Sequence, residues 1–337
     1  MKDLQNYSLL AHNTFAIDAR CRRFVEYASA DELRAVLPSL RGERVLHIGG
    51  GSNLLFTGAF DGVILHSAVR GRRVAAEDDR SVLLEVGAGE CFDEIVEYCV
   101  QNGLYGLENL SLIPGEVGAA AVQNIGAYGA EAAQFIERVE AIDLETGEAR
   151  SFSNADCRYA YRQSVFKGEL RGRCAIVSVS LRLQKNFTPN LSYIALAREV
   201  EARGLAADAL TAADVRRLVI ELRRRKLPEV GRVGSAGSFF VNPVVSAELF
   251  AHIQASYPDA PHYLVDGGVK VPAGWLIDRC GWKGRRVGNA GVWPEQALVL
   301  VNYGGATGAD IVSLSQAIRD DVRQKFGITL QPEVNFV

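Results

Sequence analysis

The sequence lacks the marks of a membrane, nucleic-acid or metal protein. No apolar run is long enough to span a bilayer, and Gln296-Ala297-Leu298-Val299-Leu300-Val301 is of strand length. The opening Met1-Lys2-Asp3-Leu4-Gln5-Asn6 holds no apolar run of a secretory signal, so a cytoplasmic location is expected. Charge of one sign is also missing. The 37 basic and 40 acidic residues leave a formal charge of -3, so no global field holds nucleic acid or an anionic membrane, and any phosphate must be held by local geometry. The six cysteines (Cys21, Cys91, Cys99, Cys157, Cys174, Cys280) include no CxxC pair. That pattern fits reduced thiols and offers no zinc or other metal site. Cys91 and Cys99 are expected to flank an amphipathic helix and to serve packing. Repeats and low-complexity tracts are absent, and no long exposed apolar stripe argues for an oligomer, so a monomer is expected.

What is present describes a folded chain of two or three domains: 337 residues, 48% hydrophobic and 23% charged. Strand patterns cover residues 44–48, 62–66, 82–86, 139–143 and 175–181, and Glu145-Thr146-Gly147-Glu148 reads as a hairpin turn. Capping patterns start helices at Ser29 with Glu32, Thr211 with Asp214 and Thr307 with Asp310, the last running through Ile311, Leu314, Ile318 and Val322 to a stop at Gly327. Residues 183–209 read as a loop with a short helix. The irregular alternation favours an α+β architecture over a doubly wound sheet, and a boundary near 210–230 is expected.

The 33 glycines cluster. Gly49-Gly50-Gly51-Ser52-Asn53-Leu54 follows a strand directly. Consecutive amides without Cβ atoms can nest a pyrophosphate without a lysine, although a flexible turn explains the loop equally well when it is taken alone. It is neither a Rossmann fingerprint nor a P-loop. A second segment, residues 109–129, joins a rigid Pro114-Gly115 turn to small residues and a polar pair, Gln123-Asn124. Read as a loop, it has so little side-chain volume that a flat isoalloxazine ring could lie against its backbone.

These two segments closely resemble the FAD-binding signatures of the UDP-N-acetylenolpyruvoylglucosamine reductases. The resemblance continues through Asn13-Thr14-Phe15, Tyr161-Arg162-Gln163-Ser164-Val165-Phe166-Lys167, Lys226-Leu227-Pro228, Ala236-Gly237-Ser238-Phe239-Phe240-Val241-Asn242-Pro243, Ala273-Gly274-Trp275-Leu276-Ile277-Asp278 and Pro332-Glu333-Val334, in family order over nearly the whole chain. It implies a vanillyl-alcohol-oxidase-type FAD-binding fold of two domains, at 1–67 with the tail 326–337 and at 68–212, plus a third α+β substrate-binding domain at 213–325. Contacts to FAD are implied for Gly49, Gly50, Gly51, Ser52, Asn53, Leu54, Ile113, Pro114, Gly115, Gly118, Gln123, Asn124, Ile125, Gly126 and Tyr128. Some relatives in the wider superfamily link FAD through a histidine beside the glycine loop. His47 reads instead as a packed strand residue, so non-covalent FAD is expected.

The chemistry implied is hydride transfer from NADPH through FAD to the enolpyruvyl double bond of UDP-N-acetylglucosamine enolpyruvate, in peptidoglycan precursor synthesis. Hydride addition leaves negative charge on the neighbouring carbon and the carboxylate, which calls for an acid and for cations or donors. Ser238 matches the family's proton donor, although serine beside glycine more often only bonds a turn; Ser235 lacks the matching context. Arg162 matches the guanidinium that steadies the carboxylate, with Arg158 as its rival. Glu333 matches the carboxylate acting with it, and if buried would have to be protonated or paired. Tyr193 matches the substrate-loop tyrosine of the family's first type. Lys226 matches a contact to the UDP phosphates, or else is a solvated helix end beside a basic face of Arg223, Arg224 and Arg225. Asn242 is a further substrate contact. A flavin-dependent oxidase of the same superfamily and a non-catalytic flavin-binding module are the alternatives. Aerobic turnover outpacing oxidation by the UDP-sugar would favour the first, and normal turnover of Ser238→Ala would favour a role for the site other than proton donation.

Overall fold

The computed structural model describes residues 1–337, which separate into two compact units: Met1–Tyr7, Cys21–Gly50 and Asp61–Arg223 in one, Ser8–Arg20, Gly51–Phe60 and Arg224–Val337 in the other.

In the first unit, strands Lys2–Ser8, Arg20–Tyr27, Phe60–Ser67 and Val45–Ile48 form a four-stranded sheet in that order. Val45–Ile48 runs parallel to Phe60–Ser67, setting Ile48 opposite His66. The run Val63-Ile64-Leu65 is fully buried, as a strand covered on both faces requires. Helix α1 (Ala30–Val36) begins where predicted, the Ser29 hydroxyl accepting from the Glu32 amide. A five-stranded antiparallel sheet follows, ordered Ala149–Ser153, Ile136–Asp143, Cys174–Gln184, Ser81–Gly87, Arg72–Glu77. Its hairpin at 144–148 is held by Asp143 Oδ1, which accepts from the amides of Glu145 and Thr146.

Helices α2 (Phe92–Gln101) and α3 (Val117–Gln123) share one core with this sheet, with Val86, Val139 and Leu181 facing Ile95, Val96 and Ala121. Two expectations need correction here. Cys99 lies inside α2 and is buried, so only Cys91 flanks the helix, at its N-cap. The small residues 117–123 form a helix and not a loop, because alanine is the best helix former and β-branched Val117 and Val122 sit only at its ends. Part of the missing volume is therefore helix packing: a Cβ on Gly118 would lie 2.8 Å from the Cβ of Ala88. Helices α4 (Ile194–Ala202) and α5 (Ala212–Lys226) pack through Leu196, Val200, Val215, Leu218, Val219 and Leu222.

In the second unit, Asn13 organises the segment near the start. Its amide donates to the carbonyls of Leu9 (2.8 Å) and Ile17 (3.0 Å), and its oxygen accepts from the Ile17 amide (2.9 Å). The next residue, Thr14, donates its hydroxyl to the Ser235 carbonyl at 2.6 Å. Strand Gly234–Ser238 edges a four-stranded sheet with Val299–Asn302, Ala290–Val292 and Arg286–Val287. Val244–Val245, Gly268–Lys270 and Tyr263–Val265 form a small sheet, and Leu54–Leu55 pairs in parallel with Asn335–Phe336. Helices α6 (Ala247–Ser256), α7 (Ala273–Arg279) and α8 (Gly308–Phe326) cover these sheets' sequence intervals. A reciprocal capping box of Thr307 and Asp310 opens α8, and Gly327, at φ 70, closes it. No helix is long and apolar enough to cross a membrane.

Candidate functional site

The first unit brings the glycine turn and the second glycine segment together. A Cβ on Gly49 would lie 2.9 Å from Ala119 Cβ and 3.1 Å from Glu116 Oε2, and one on Gly50 would lie 3.5 Å from Gly115 Cα. Gly49 therefore has to be glycine for packing, whereas Gly50 has ordinary room and no packing reason to be glycine.

The approach to this turn is clamped. Leu112 takes the left-handed conformation, φ 58, and its amide donates to Asp93 Oδ1 at 2.5 Å. Asp93 in turn receives both guanidinium nitrogens of Arg216 at 2.6 and 3.2 Å, and Arg223 Nε donates to the Leu112 carbonyl at 3.2 Å. Arg216 and Arg223 are seven residues apart, one face of α5. Arg223 is thus turned inward and is not part of a solvated basic face; withdrawal from solvent pushes its pKa below the ordinary arginine value. This clamp fixes the half-buried Ile113-Pro114-Gly115 strip. Sequence reasoning missed it, although the spacing of the two arginines and Asp93 near the start of α2 were readable.

At the last residue of α3, Gln123 buries its Oε1 without a hydrogen-bond partner. Such an atom costs about 1–3 kcal/mol unless a ligand or water satisfies it. Asn124 caps α3 at φ 44. Its amide nitrogen donates to Glu131 (2.9 Å) and to the Ala160 carbonyl (3.0 Å), and its oxygen accepts from Ala133 (2.9 Å). The side chain is thereby consumed within the chain, and the Asn124 amide returns to the Ala120 carbonyl. Replacing Asn124 by alanine is expected to lower stability by about 3 kcal/mol, from three lost bonds and a left-handed residue without its local support. Thermal denaturation measures this, and a loss within experimental scatter would refute the bracing role.

Arg162 stands on a tight turn in which Ala160 and Gln163 exchange backbone bonds. At φ 55 it donates Nη1 to the Asn124 carbonyl (3.3 Å) and Nη2 to the Gly126 carbonyl (2.7 Å), while Lys167 Nζ holds the Arg162 carbonyl at 2.8 Å. Its rival Arg158 pairs instead with exposed Glu169. The Ile125 amide returns to the Ala120 carbonyl, and Tyr128, at φ 49, meets Tyr193 edge-on with centroids 5.1 Å apart. Tyr193 is exposed at the N-cap of α4. His47 is engaged with the Tyr27 hydroxyl at 2.9 Å, and desolvation pushes it down to about 4, as a packed strand residue.

In the second unit, Gly51, Ser52, Asn53 and Leu54 lead into the strand beside the tail. Gly51 is at φ 63, and a Cβ there would lie 1.9 Å from the His12 carbonyl oxygen, so its glycine requirement is steric. Asn53 donates to the Glu333 carbonyl (3.3 Å) and accepts from the Asn335 amide (3.1 Å). Glu333 donates its amide to the Phe239 carbonyl (2.8 Å), and Phe240 bridges Pro332. The tail therefore brings Glu333 within one residue of Ser238 along the backbone register. Glu333 is half-buried. Ser238 is exposed after Gly237 at φ 68. Asn242 Oδ1 accepts from the Ala273 amide at the start of α7 (2.9 Å). Lys226 ends α5 half-buried, with no hydrogen bond to the other candidates.

These residues suit FAD. The convergent glycine turn leaves room at Gly50, and the orphaned Gln123 oxygen lacks a donor that a ligand would supply. The comparisons agree. Residues 21–153 match the family model described as FAD binding domain, and residues 228–337 match that of UDP-N-acetylenolpyruvoylglucosamine reductase, C-terminal domain. A protein of that name from Bacteroides fragilis is 52% identical over 336 residues, covering 99% of each chain. One from Burkholderia ambifaria is 50% identical over 336 residues, covering 98% of this chain and 95% of the relative. A solved structure, UDP-N-acetylenolpyruvylglucosamine reductase from Thermus caldophilus, superposes with a TM-score of 0.69 at 22% identity, covering 99% of this chain and 98% of that one. The fold is α+β, with an FAD-binding domain followed by a C-terminal domain, and the cofactor is FAD. The chain belongs to the UDP-N-acetylenolpyruvoylglucosamine reductase family.

Proposed function

We propose that the protein reduces the enolpyruvyl double bond of UDP-N-acetylglucosamine enolpyruvate, giving UDP-N-acetylmuramate for peptidoglycan synthesis, with NADPH as electron source. Bound FAD supplies the hydride relay from NADPH to the terminal vinyl carbon. The neighbouring carbon then carries negative charge shared with the carboxylate. Ser238 Oγ–H gives its proton to that carbon. Arg162, already charged and fixed on its turn, and Glu333 act on the carboxylate and the charge that develops there. Tyr193, Lys226 and Asn242, whose amide nitrogen has no partner in the chain, hold the UDP-sugar. The residues assigned to FAD are those named from the resemblance, with Gly51, Gly118 and Asn124 contributing through backbone or packing.

The observation that carries this reading is the backbone bond from Glu333 to Phe239, which draws the tail carboxylate to the candidate proton donor in a chain of this family. We further propose domains at 1–67 with 326–337, 68–212 and 213–325, a monomer, and a cytoplasmic location. The test is anaerobic. The purified protein is expected to be yellow, to be bleached by NADPH and to regain its colour when the UDP-enolpyruvyl sugar is added. A colourless preparation that FAD cannot reconstitute, or a bleached one that the sugar leaves unchanged, would sink the proposal.

A further inference from the structure

His66 lies on strand Phe60–Ser67, and both of its ring nitrogens end on carboxylates: Nδ1 is 3.0 Å from Glu26 and Nε2 is 3.0 Å from Glu116. A neutral imidazole has one N–H and can donate to only one of them; donating to both requires the imidazolium. The three side chains keep only 11%, 16% and 15% of their surface, so the charges are weakly screened. The other groups facing the ring are few. Lys2, from the edge strand, reaches Glu26 at 2.6 Å. His47, on the neighbouring strand, is neutral, being pushed down to about 4 by desolvation. Tyr27 is pushed up by burial and stays neutral, and Phe24 stacks on the ring. Burial alone would lower the His66 pKa, but Glu116 and Glu26 outweigh it and the net shift is upward.

The second oxygen of Glu116, Oε2, stands 3.1 Å from where a Cβ on Gly49 would sit, and Oε1 stands 3.8 Å from the corresponding point on Gly50. A carboxylate therefore abuts the one glycine turn of this unit that would meet a phosphate. Left uncancelled, it would repel an anion there.

We propose that His66 is a positioning residue for the phosphates of the cofactor: clamped as an imidazolium between Glu26 and Glu116, it cancels the Glu116 charge beside Gly49-Gly50, so that the turn accepts an anionic pyrophosphate. This rests on the reading that the turn holds the FAD phosphates. The linkage has a definite sign. A bound anion favours the imidazolium, so the His66 pKa is higher in the loaded protein than in the empty one. FAD affinity is full below the empty-protein value and falls as pH rises through the loaded one.

The test is FAD affinity of the full-length protein, read by flavin fluorescence. In wild type, affinity is expected to fall about tenfold between about pH 6 and about pH 9. His66→Gln is expected to bind about tenfold more weakly at the acid end and to lose the slope. Glu116→Gln is expected to lose the slope while binding tightly throughout, and the double variant to recover to within about threefold of wild type. A His66→Gln protein with wild-type affinity and slope overturns the proposal, as does a double variant no better than the single. If His66→Gln fails to fold, Glu116→Gln decides alone, and a retained slope overturns it. Riboflavin, which carries no phosphate, is the control. A riboflavin slope equal to that of FAD overturns the role of His66, whereas FAD binding untouched by Gly50→Val overturns the siting of the phosphates.

Discussion

Ser238→Ala is expected to keep its FAD, to be reduced by NADPH at close to the normal rate, and to be reoxidised by the UDP-enolpyruvyl sugar about 10²–10⁴ times more slowly, the usual worth of a general acid. The fold should not notice the change. Ser238 sits exposed at the end of strand Gly234–Ser238, opposite Val299, and its hydroxyl bonds to nothing in the chain. The strand is held instead by backbone bonds, among them Ser235 to Thr14 and Phe239 to Leu298. A serine that served only a turn would show a hydrogen bond to lose, and this one has none. Anaerobic stopped-flow separates the two half-reactions. If the second runs at the wild-type rate in the variant, the proton comes from elsewhere and the role given to Ser238 is wrong.

The second large effect concerns folding. Gly51→Ala would place a methyl group 1.9 Å from the His12 carbonyl oxygen and 2.8 Å from Asn13 Cα, at φ 63. The left-handed backbone alone costs about 1 kcal/mol for a non-glycine residue, and relief of the overlap means moving a segment that Asn13 fastens with three hydrogen bonds. Overpacking of this kind costs a further 1–3 kcal/mol or so, and the sum should appear as a clear drop in thermal midpoint. Gly50→Ala is the contrast. A methyl there meets Gly115 Cα at 3.5 Å, an ordinary contact, so stability should hold while FAD affinity falls. Equal stability of the two variants would show that the three glycines do one common job.

Much of the fold was legible because its signals are local. Ser29, Thr211 and Thr307 each sit three residues before an acidic residue, and all three start helices. Apolar runs of strand length at 62–66, 82–86 and 175–181 became the buried centres of the two larger sheets of the first unit. Apart from Cys99, whose helix simply runs past it, the misreadings concern residues whose meaning depends on a distant partner. The 117–123 run looked like ligand room because small residues serve equally for a ring and for a helix lying on Ala88. Arg223 looked solvated because its neighbours Arg224 and Arg225 are exposed; only the carbonyl of Leu112, 111 residues away, turns it inward. The three consecutive glycines looked like one nest, yet Gly49 answers to Ala119 and Gly51 to His12. His66 and Glu116 are 50 residues apart and carry no motif, so nothing in the string joins them. Of the candidate site, the resemblance named Ser238, Arg162 and Glu333 as candidates, but the backbone bonds around them could not be read from spacing.

The tail also bears on how the protein is handled. Its last residues are zipped: Asn335–Phe336 lies beside Leu54–Leu55, and the Val337 carbonyl receives both the amide and the hydroxyl of Thr57 at 2.8 Å. The carboxylate at 333 owes its location to this short fastening together with the Glu333 amide bond to the Phe239 carbonyl and the burial of the neighbouring Val334. Any appendage fused after Val337 therefore pulls on one of the seams that seat it, and clipping by a carboxypeptidase would unbutton that seam one residue at a time.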